Sequence, residues 1–300
     1  MPQANNWMGC GIALAGCVLS VPAAQAAMVY GVTQDNALFS FDSAAPGTLL
    51  SGLSISGFSA NNESIRGIDF RPANGQLYAI GSFGQLYTLD KTTAVLTAVG
   101  GGVGAINGTA FGFDFNPTID RIRLVSNTDR NYVLNPDTGA LQATATPLAY
   151  GAGDPNFGVN PNVVGSAYSN NNLGNVPATS QLYGIDAGID VLVKQANNDG
   201  VLETVGPLLT VNTSDLVGFD IFTTPEGDNI AYASLTPSGG SVSNFYTVDL
   251  ITGTAVLVGQ INGGTLVSDI AVEPVAIPEP ASLALVGLGA IGLLARRRGA

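Results

Sequence analysis

Residues 67–72 read Gly-Ile-Asp-Phe-Arg-Pro, and residues 112–117 read Gly-Phe-Asp-Phe-Asn-Pro. The same slot returns as Gly-Ser-Ala-Tyr at 165–168 and as Gly-Phe-Asp-Ile at 218–221. A fifth copy, with a changed first residue, is Asp-Ile-Ala-Val at 269–272. The copies lie roughly 50 residues apart, a period typical of propeller blades or solenoid units.

Short runs of β-branched and aromatic residues follow each opening. Gly, Asn, Asp and Pro separate these runs, which is typical of strands joined by tight turns. The 3.6-residue period of an amphipathic helix is not sustained anywhere. The runs are 76–80, 85–90, 96–100, 121–125, 131–134, 181–185, 191–193, 202–206, 230–233, 245–249 and 256–259.

The fifth opening, at Asp269, has no further strands after it. Matching second, third and fourth runs stand at the other end of the chain, at residues 29–32, 38–42 and 48–50. A repeat divided in this way is useful in a ring, because the last strand then pairs with the first sheet and removes an open edge. We therefore expect an all-β protein, a five-bladed β-propeller of four-stranded blades over residues 27–275, closed by a C-terminal strand that pairs with the N-terminal blade.

The first 26 residues are typical of a secretory signal peptide. An apolar run is followed by Ala24-Gln25-Ala26, which predicts cleavage between Ala26 and Ala27. A lipoprotein signal is the alternative, because residues 14–17 read Leu-Ala-Gly-Cys and Cys17 would then be acylated. Cys10 and Cys17 are the two cysteines of the chain, so ordinary cleavage leaves a mature protein without disulfides.

Residues 276–300 form a third unit. Pro278, Glu279 and Pro280 precede an uncharged stretch from 281 to 295, and Arg296, Arg297 and Arg298 follow it. One interpretation is a membrane anchor with a basic stop. A helix of that length reaches only about 22 Å, less than the roughly 30 Å hydrocarbon core, so a processing signal is favoured.

The order of these three features resembles the PEP-CTERM sorting tail of Gram-negative bacteria. The resemblance implies export, transient membrane anchoring by the C-terminal segment, and processing by a membrane protease of the exosortase type. Such proteins are associated with bacteria that make exopolysaccharide, so an extracellular polysaccharide or matrix protein is the implied partner.

The repeat itself resembles the bacterial domain of unknown function 4394, a propeller-like family. The residues that carry this resemblance are 66–72, 76–90, 111–117 and 218–220. It supports the predicted fold and implies no activity.

Composition excludes several function classes. The chain has no histidine, which excludes a Ser-His-Asp triad and an imidazole metal site. A net charge of -12 argues against nucleic acid as a partner, because phosphate binding needs clustered Lys and Arg. With 46% hydrophobic residues the chain is expected to be ordered, and we expect a monomer.

Three aspartates occupy the same place in the repeat, namely Asp69, Asp114 and Asp220, where the other two copies have Ala167 and Ala271. First strands line the channel of a propeller, so the three carboxylates are expected to converge. They either bind a cation such as Ca²⁺, the one cofactor that the sequence suggests, or accept hydrogen bonds from the backbone of the next blade.

Candidate ligand-binding residues lie in two places. Arg121 and Arg123 share one side of a strand and could hold an anionic group, or pair with Asp120, Asp129 or Asp137. The irregular stretches 150–163 and 170–179 could form a binding rim. Its aromatic surfaces for stacking on sugar rings would be Tyr150, Phe157 and Tyr168.

We therefore expect a non-enzymatic interaction module of the cell surface or extracellular matrix that binds glycans. The alternative is an extracellular hydrolase or lyase that cleaves carbohydrates or lactones with channel carboxylates.

Overall fold

A computed structural model describes residues 26–209 and 211–277. The strands in these residues are, in chain order, β1 (Met28–Thr33), β2 (Ala37–Asp42), β3 (Leu49–Ser54), β4 (Ile65–Phe70), β5 (Leu77–Gly81), β6 (Leu86–Leu89), β7 (Leu96–Val99), β8 (Phe111–Asn116), β9 (Arg121–Ser126), β10 (Asn131–Leu134), β11 (Leu141–Thr144), β12 (Ala149–Tyr150), β13 (Val163–Tyr168), β14 (Leu182–Asp186), β15 (Val191–Gln195), β16 (Val201–Pro207), β17 (Thr213–Thr223), β18 (Asn229–Pro237), β19 (Asn244–Val248), β20 (Ala255–Gln260) and β21 (Val267–Val272). One 3₁₀ turn, Ile261–Gly263, precedes β21.

The strands form five sheets, which are the five blades of a propeller. Blade 1 has the order β21-β1-β2-β3, blade 2 β4-β5-β6-β7, blade 3 β8-β9-β10-β11 and blade 5 β17-β18-β19-β20. Blade 4 is β13-β14-β15-β16 with β12 added in parallel at its outer edge. The predicted all-β, five-bladed architecture is confirmed.

The ring closes between the two ends of the chain, as predicted. Strand β21 pairs antiparallel with β1, with Tyr30 opposite Ala271 and Gly31 opposite Ile270. Blade 1 therefore takes its innermost strand from the C-terminal part of the ring and its other three strands from the N-terminal part.

The innermost strands, β4, β8, β13, β17 and β21, contact one another around the central channel. The repeated glycine of the opening motif permits this close approach. A Cβ at Gly67 would lie 2.5 Å from Phe113 Cβ in the next blade, and one at Gly218 would lie 2.5 Å from the Ile270 nitrogen. Glycine stands at these two positions because the adjacent inner strand leaves no room there for a side chain.

Five apolar clusters form the core, each between two adjacent blades. Aromatic pairs cross three of these interfaces. Tyr30 meets Phe70 at 5.4 Å between ring centroids, Tyr78 meets Phe115 at 5.1 Å, and Phe41 meets Phe245 at 5.0 Å. Such edge-to-face pairs stabilise the blade contacts beyond simple area burial.

Strands β11 and β12 are absent from the sequence prediction. All four residues of β11 are exposed, so no buried apolar position marks this strand. Strand β12 has only two residues and is held by its parallel pairing with β16. Neither carries a local sequence signal that indicates a strand.

Candidate functional site

The three repeated aspartates converge at the channel, as the sequence predicts. Asp69 lies on β4, Asp114 on β8 and Asp220 on β17, and one carboxylate oxygen from each lies within 4.8 Å of the others. Their exposed fractions are 4%, 2% and 1%. The cluster is therefore almost completely withdrawn from solvent.

Backbone amides of the inner strands donate to these carboxylates in a repeated pattern. Asp69 Oδ2 accepts the N–H of Phe115 at 2.7 Å, and Asp220 Oδ2 accepts the N–H of Val272 at 2.6 Å. Asp114 Oδ1 accepts the N–H of Tyr168 at 3.0 Å. In each case the aspartate of one blade accepts a backbone N–H from the next blade. The donor is the residue that directly follows the position equivalent to the aspartate.

In the other two blades the equivalent residue is alanine, so Ala167 and Ala271 offer no side-chain acceptor to an amide of the next blade. The two amides concerned are those of Ile221 and Phe70. Each donates instead to the aspartate just before it, Ile221 N–H to Asp220 Oδ1 and Phe70 N–H to Asp69 Oδ1, both at 2.6 Å. Three carboxylates thus satisfy five equivalent amides around the ring.

A fourth carboxylate belongs to this group and was missed by the sequence analysis. Asp269 occupies the glycine position of the motif and is 4% exposed. Its Oδ2 accepts the N–H of Ile68 at 2.8 Å, and its Oδ1 accepts that of Ile270 at 2.9 Å. The sequence did contain a signal for it, namely a charged residue at a repeat position that is glycine in the other four copies.

Burial shifts the protonation of the whole group. It raises the pKa of Asp69 well above its ordinary value, and the charge of Asp220 raises it further. Burial likewise raises the pKa of Asp114, with contributions from Asp69 and Asp220, and that of Asp269. It raises the pKa of Asp220 to about 7, against the lowering effect of its two backbone hydrogen bonds. The cluster consequently keeps protons at pH values at which an exposed aspartate has released them.

The same oxygens determine how well Ca²⁺ would fit. Five of the six oxygens of Asp69, Asp114 and Asp220 accept a backbone N–H. Ca²⁺ takes six to eight oxygen ligands at about 2.3–2.6 Å, so these oxygens would serve both amides and ion. The hydrogen-bonded arrangement accounts for the cluster directly, and Ca²⁺ binding stays a prediction.

The two arginines of β9 differ in their surroundings. Arg123 is 3% exposed and donates to Asn131 Oδ1 at 2.7 Å and to Asn198 Oδ1 at 3.3 Å. Its expected role as an open ligand-binding fork is wrong, because internal amides occupy its donors. Arg121 is half-buried and donates to Gln142 Oε1 and to the Asp120 carbonyl.

Arg71 pairs with two of the three aspartates, Asp120 and Asp137, that the sequence offered as alternative partners for the arginines of β9. Its guanidinium pairs with both oxygens of Asp120, and its Nη1 donates to Asp137 Oδ1 at 2.7 Å. The side chain is 11% exposed. Arg71 follows β4 of blade 2, so this network joins blades 2 and 3.

Two of the three candidate sugar-stacking aromatics lie inside the protein. Tyr150 is 3% exposed and donates its hydroxyl to Asp186 Oδ2 at 2.6 Å. Tyr168 is completely buried, with its hydroxyl bonded to Asn197. Their prediction as available stacking surfaces is wrong, because both rings pack into the blades. Phe157 is 65% exposed.

The two irregular stretches separate rather than form one rim. The first lies along the outer edge of blade 4, where Asp154 Oδ2 accepts the Thr204 N–H at 2.6 Å. A groove of about 460 Å³ lies there between residues 151–155 and 201–204. The second stretch leaves blade 4 at the end of β13 and crosses to other blades.

Residues 170–175, called the strap below, make these cross-blade contacts. Asn172 Nδ2 donates to the carbonyls of Thr223 and Thr224 in blade 5, at 3.1 and 3.0 Å. The Gly174 N–H donates to the Pro72 carbonyl in blade 2 at 2.8 Å. The strap therefore covers one end of the ring.

Several predicted sorting residues lie outside the described residues, namely Pro278, Glu279, Pro280, Arg296, Arg297 and Arg298. At the other end, Ala26 is exposed and Ala27 is buried, and the Ala27 N–H donates to Ser43 Oγ at 3.0 Å. Among residues 26–209 and 211–277, no helix has the length and apolar character that crossing a bilayer requires.

Comparison with protein-family models assigns most of the chain. The model described as "Domain of unknown function (DUF4394)" matches residues 37–271, which contain strands of all five blades and leave out only β1. The chain belongs to the DUF4394 family. A second model, the PEP-CTERM protein-sorting motif, matches residues 276–298 of this DUF4394 protein. That motif implies export and processing by exosortase, a membrane protein.

Two solved structures that the comparison matches to the DUF4394 ring share little sequence with it. Hydrazine synthase of Kuenenia stuttgartiensis is 12% identical with a TM-score of 0.40, over 71% of this chain and 51% of that chain. Dihydro-heme d1 dehydrogenase NirN is 12% identical with a TM-score of 0.39, over 77% and 42%. The chain thus spans about half the length of these proteins or less. No curated protein matches the sequence.

Proposed function

We propose that this DUF4394 ring is a non-enzymatic interaction module, exported to the cell surface or extracellular matrix of a Gram-negative bacterium. The observation that carries the proposal is the engagement of Asp69, Asp114 and Asp220 by backbone amides. Carboxylates used in this way hold adjacent blades together. The sorting motif at 276–298 supports the extracellular location.

The alternative function, a hydrolase or lyase, needs differently placed carboxylates. Glycoside hydrolysis uses two carboxyl groups about 5–9.5 Å apart that reach the substrate in an open site. The channel aspartates are instead buried and hydrogen-bonded to the ring itself. This geometry favours binding over catalysis.

The ligand that we propose is a glycan of the matrix, and the place is the groove on the outer edge of blade 4. Its volume of about 460 Å³ accommodates a few sugar units, and the polar groups of Glu203 and Thr204 line it. Phe157 lies on the same loop as the lining residues 151–155 and offers an exposed ring for stacking.

A glycan-array screen of the secreted, purified protein tests this proposal. We expect Phe157→Ala to weaken binding of the retained glycan about tenfold, as loss of a stacked ring does. Phe83→Ala is the matched control, because Phe83 is 53% exposed on blade 2, and it should bind like the wild type. Retention of no glycan, or equal binding by both variants, would contradict the proposal.

Processing at the N-terminus is proposed to occur between Ala26 and Ala27. Ala26 is exposed, whereas Ala27 starts the buried part of blade 1. Cleavage there leaves the folded ring intact, with a new amino group beside Ser43 Oγ. We propose that the mature ring is a monomer, because closure pairs the edges that would otherwise remain open at the ends of the chain.

A further inference from the structure

The two ends of the folded ring leave it at the same place. Strand β1 begins where β21 ends, and the Glu273 N–H donates to the Met28 carbonyl at 2.9 Å. A cavity of about 270 Å³ is lined by residues 26–28 from one end and 273–275 from the other. We call the surface around this point, together with the strap, the junction face.

The chain is fixed to the ring up to Ala276. The Glu273 carboxylate pairs with Lys91 of blade 2. The Val275 carbonyl accepts the N–H of Leu173 in the strap at 3.0 Å, and Ala276 forms a parallel bridge with Leu173. The sorting motif begins at residue 276, so its first residue is already held by the strap.

The uncharged segment of the motif begins at Ala281, five residues after this last fixed point. Five residues span at most about 18 Å even when fully extended. A six-residue strand alone is about 20 Å long, so the tether is shorter than the ring is high. In addition, β21 is an innermost strand, so the tether starts near the ring axis.

We propose that the junction face lies against the membrane surface as long as the sorting segment is inserted, and that the opposite end of the ring faces outward. The short tether holds the ring in this orientation. The proposal does not depend on electrostatic attraction between the ring and lipid. Three of the ten basic residues of the chain lie beyond the apolar segment, and the ring itself carries an excess of acidic groups.

Energy transfer to labelled vesicles tests this orientation with residues 27–300, the chain that remains after the proposed cleavage. Removal of residues 1–26 also removes both native cysteines, Cys10 and Cys17, so a fluorescent donor can be attached to Glu226→Cys or to Asp35→Cys. Glu226 is exposed in the β17–β18 turn at the junction face, and Asp35 is exposed in the β1–β2 turn at the opposite end. Both substitutions remove one acidic group, which makes them matched controls.

In phosphatidylcholine vesicles with an acceptor lipid, we expect the donor at 226 to be quenched about twofold more than the donor at 35, because a strand length separates them. Equal quenching, or stronger quenching at 35, would overturn the proposal. An insertion of about 20 Gly and Ser residues after Ile277 gives a flexible tether of roughly 25 Å and should abolish the difference. A difference that survives this insertion would also overturn it, since the ring would then adsorb through its own surface.

Discussion

Five equivalent amides face the centre of the ring, and three aspartates accept all five of them. The residues are not interchangeable between blades. Asp69 and Asp220 each accept two amides because the preceding blade has alanine in the aspartate slot. An incomplete repeat in the sequence therefore gives a complete set of hydrogen bonds in the structure, which is what buried backbone requires.

Gly218→Ala should destabilise the ring, because its Cβ would lie 2.5 Å from the Ile270 nitrogen and 2.8 Å from the Asp269 carbonyl carbon. Both atoms belong to the backbone of the closing strand and have little freedom to move. We expect a loss of about 1–3 kcal/mol in the free energy of unfolding, measured by urea denaturation. Gly52→Ala in β3 meets nothing within 4 Å and is the control. Equal effects of the two substitutions would show that the inner strands are not closely packed at Gly218.

Sequence reasoning found the slot of Asp69, Asp114 and Asp220 because the repeat aligns it. It missed Asp269, which stands two positions earlier in its own copy, and it missed the partners of Arg71. Asp120 and Asp137 are 49 and 66 residues from Arg71 in the chain, and their pairing depends on how blades 2 and 3 are juxtaposed. Burial of Tyr150 depends in the same way on the pairing of β12 with β16. Such contacts have no local pattern.

At the level of elements, the hairpin turns between third and fourth strands join neighbouring blades. The Ser56 N–H, which follows β3 of blade 1, donates to the Ala94 carbonyl of blade 2, and the Thr146 N–H, which follows β11 of blade 3, donates to the Asn198 carbonyl of blade 4. The strap makes a longer connection of the same kind, from blade 4 to blades 5 and 2 and to Val275. Turns that look like simple reversals in the sequence are therefore inter-blade contacts.

Asn172→Ala should loosen the strap. Asn172 is 3% exposed, and the substitution removes both hydrogen bonds from its Nδ2 to blade 5. We expect a loss of about 1–3 kcal/mol in the free energy of unfolding, with faster hydrogen exchange at the amides of Leu173 and Gly174. Val176→Ala changes a side chain that is 73% exposed and should alter neither quantity. Unchanged exchange at Leu173 in Asn172→Ala would mean that Asn172 does not hold the strap.

At the level of the whole molecule, the buried carboxylates couple ring stability to pH. The folded ring holds protons on Asp69, Asp114, Asp220 and Asp269 at pH values where the unfolded chain has released them. The sign is therefore opposite to ordinary acid denaturation. The chain has no histidine, so no imidazole obscures the effect between pH 5 and 8.

The free energy of unfolding should accordingly fall as the pH rises from 5 to 8. Each proton held only by the folded state contributes about 1.4 kcal/mol per pH unit until its folded pKa is passed. For Asp220 that loss ends near its folded pKa of about 7. Urea denaturation at several pH values measures the slope, and Asp220→Asn should reduce it. A stability that rises with pH over this range would contradict the protonated cluster.

The same denaturation experiment, repeated with Ca²⁺, tests whether the aspartate cluster binds this ion. If Ca²⁺ is bound by Asp69, Asp114 and Asp220, the ion should raise the unfolding midpoint most at pH 8, where it competes with the fewest protons. Asp114→Asn should remove that increase. An unfolding midpoint that does not respond to Ca²⁺ at pH 8 would leave the carboxylates with a purely structural role.

Ring closure by β21 also has a consequence for the order of events during secretion. A chain that is exported across a membrane from its N-terminus delivers β1 early, with one edge lacking its partner until Val267–Val272 emerge. The last strand to arrive is also the one next to the sorting motif. Completion of the fold and arrival of the sorting motif are thus nearly simultaneous, so a protein halted before β21 emerges with an open sheet and without the motif that directs its processing.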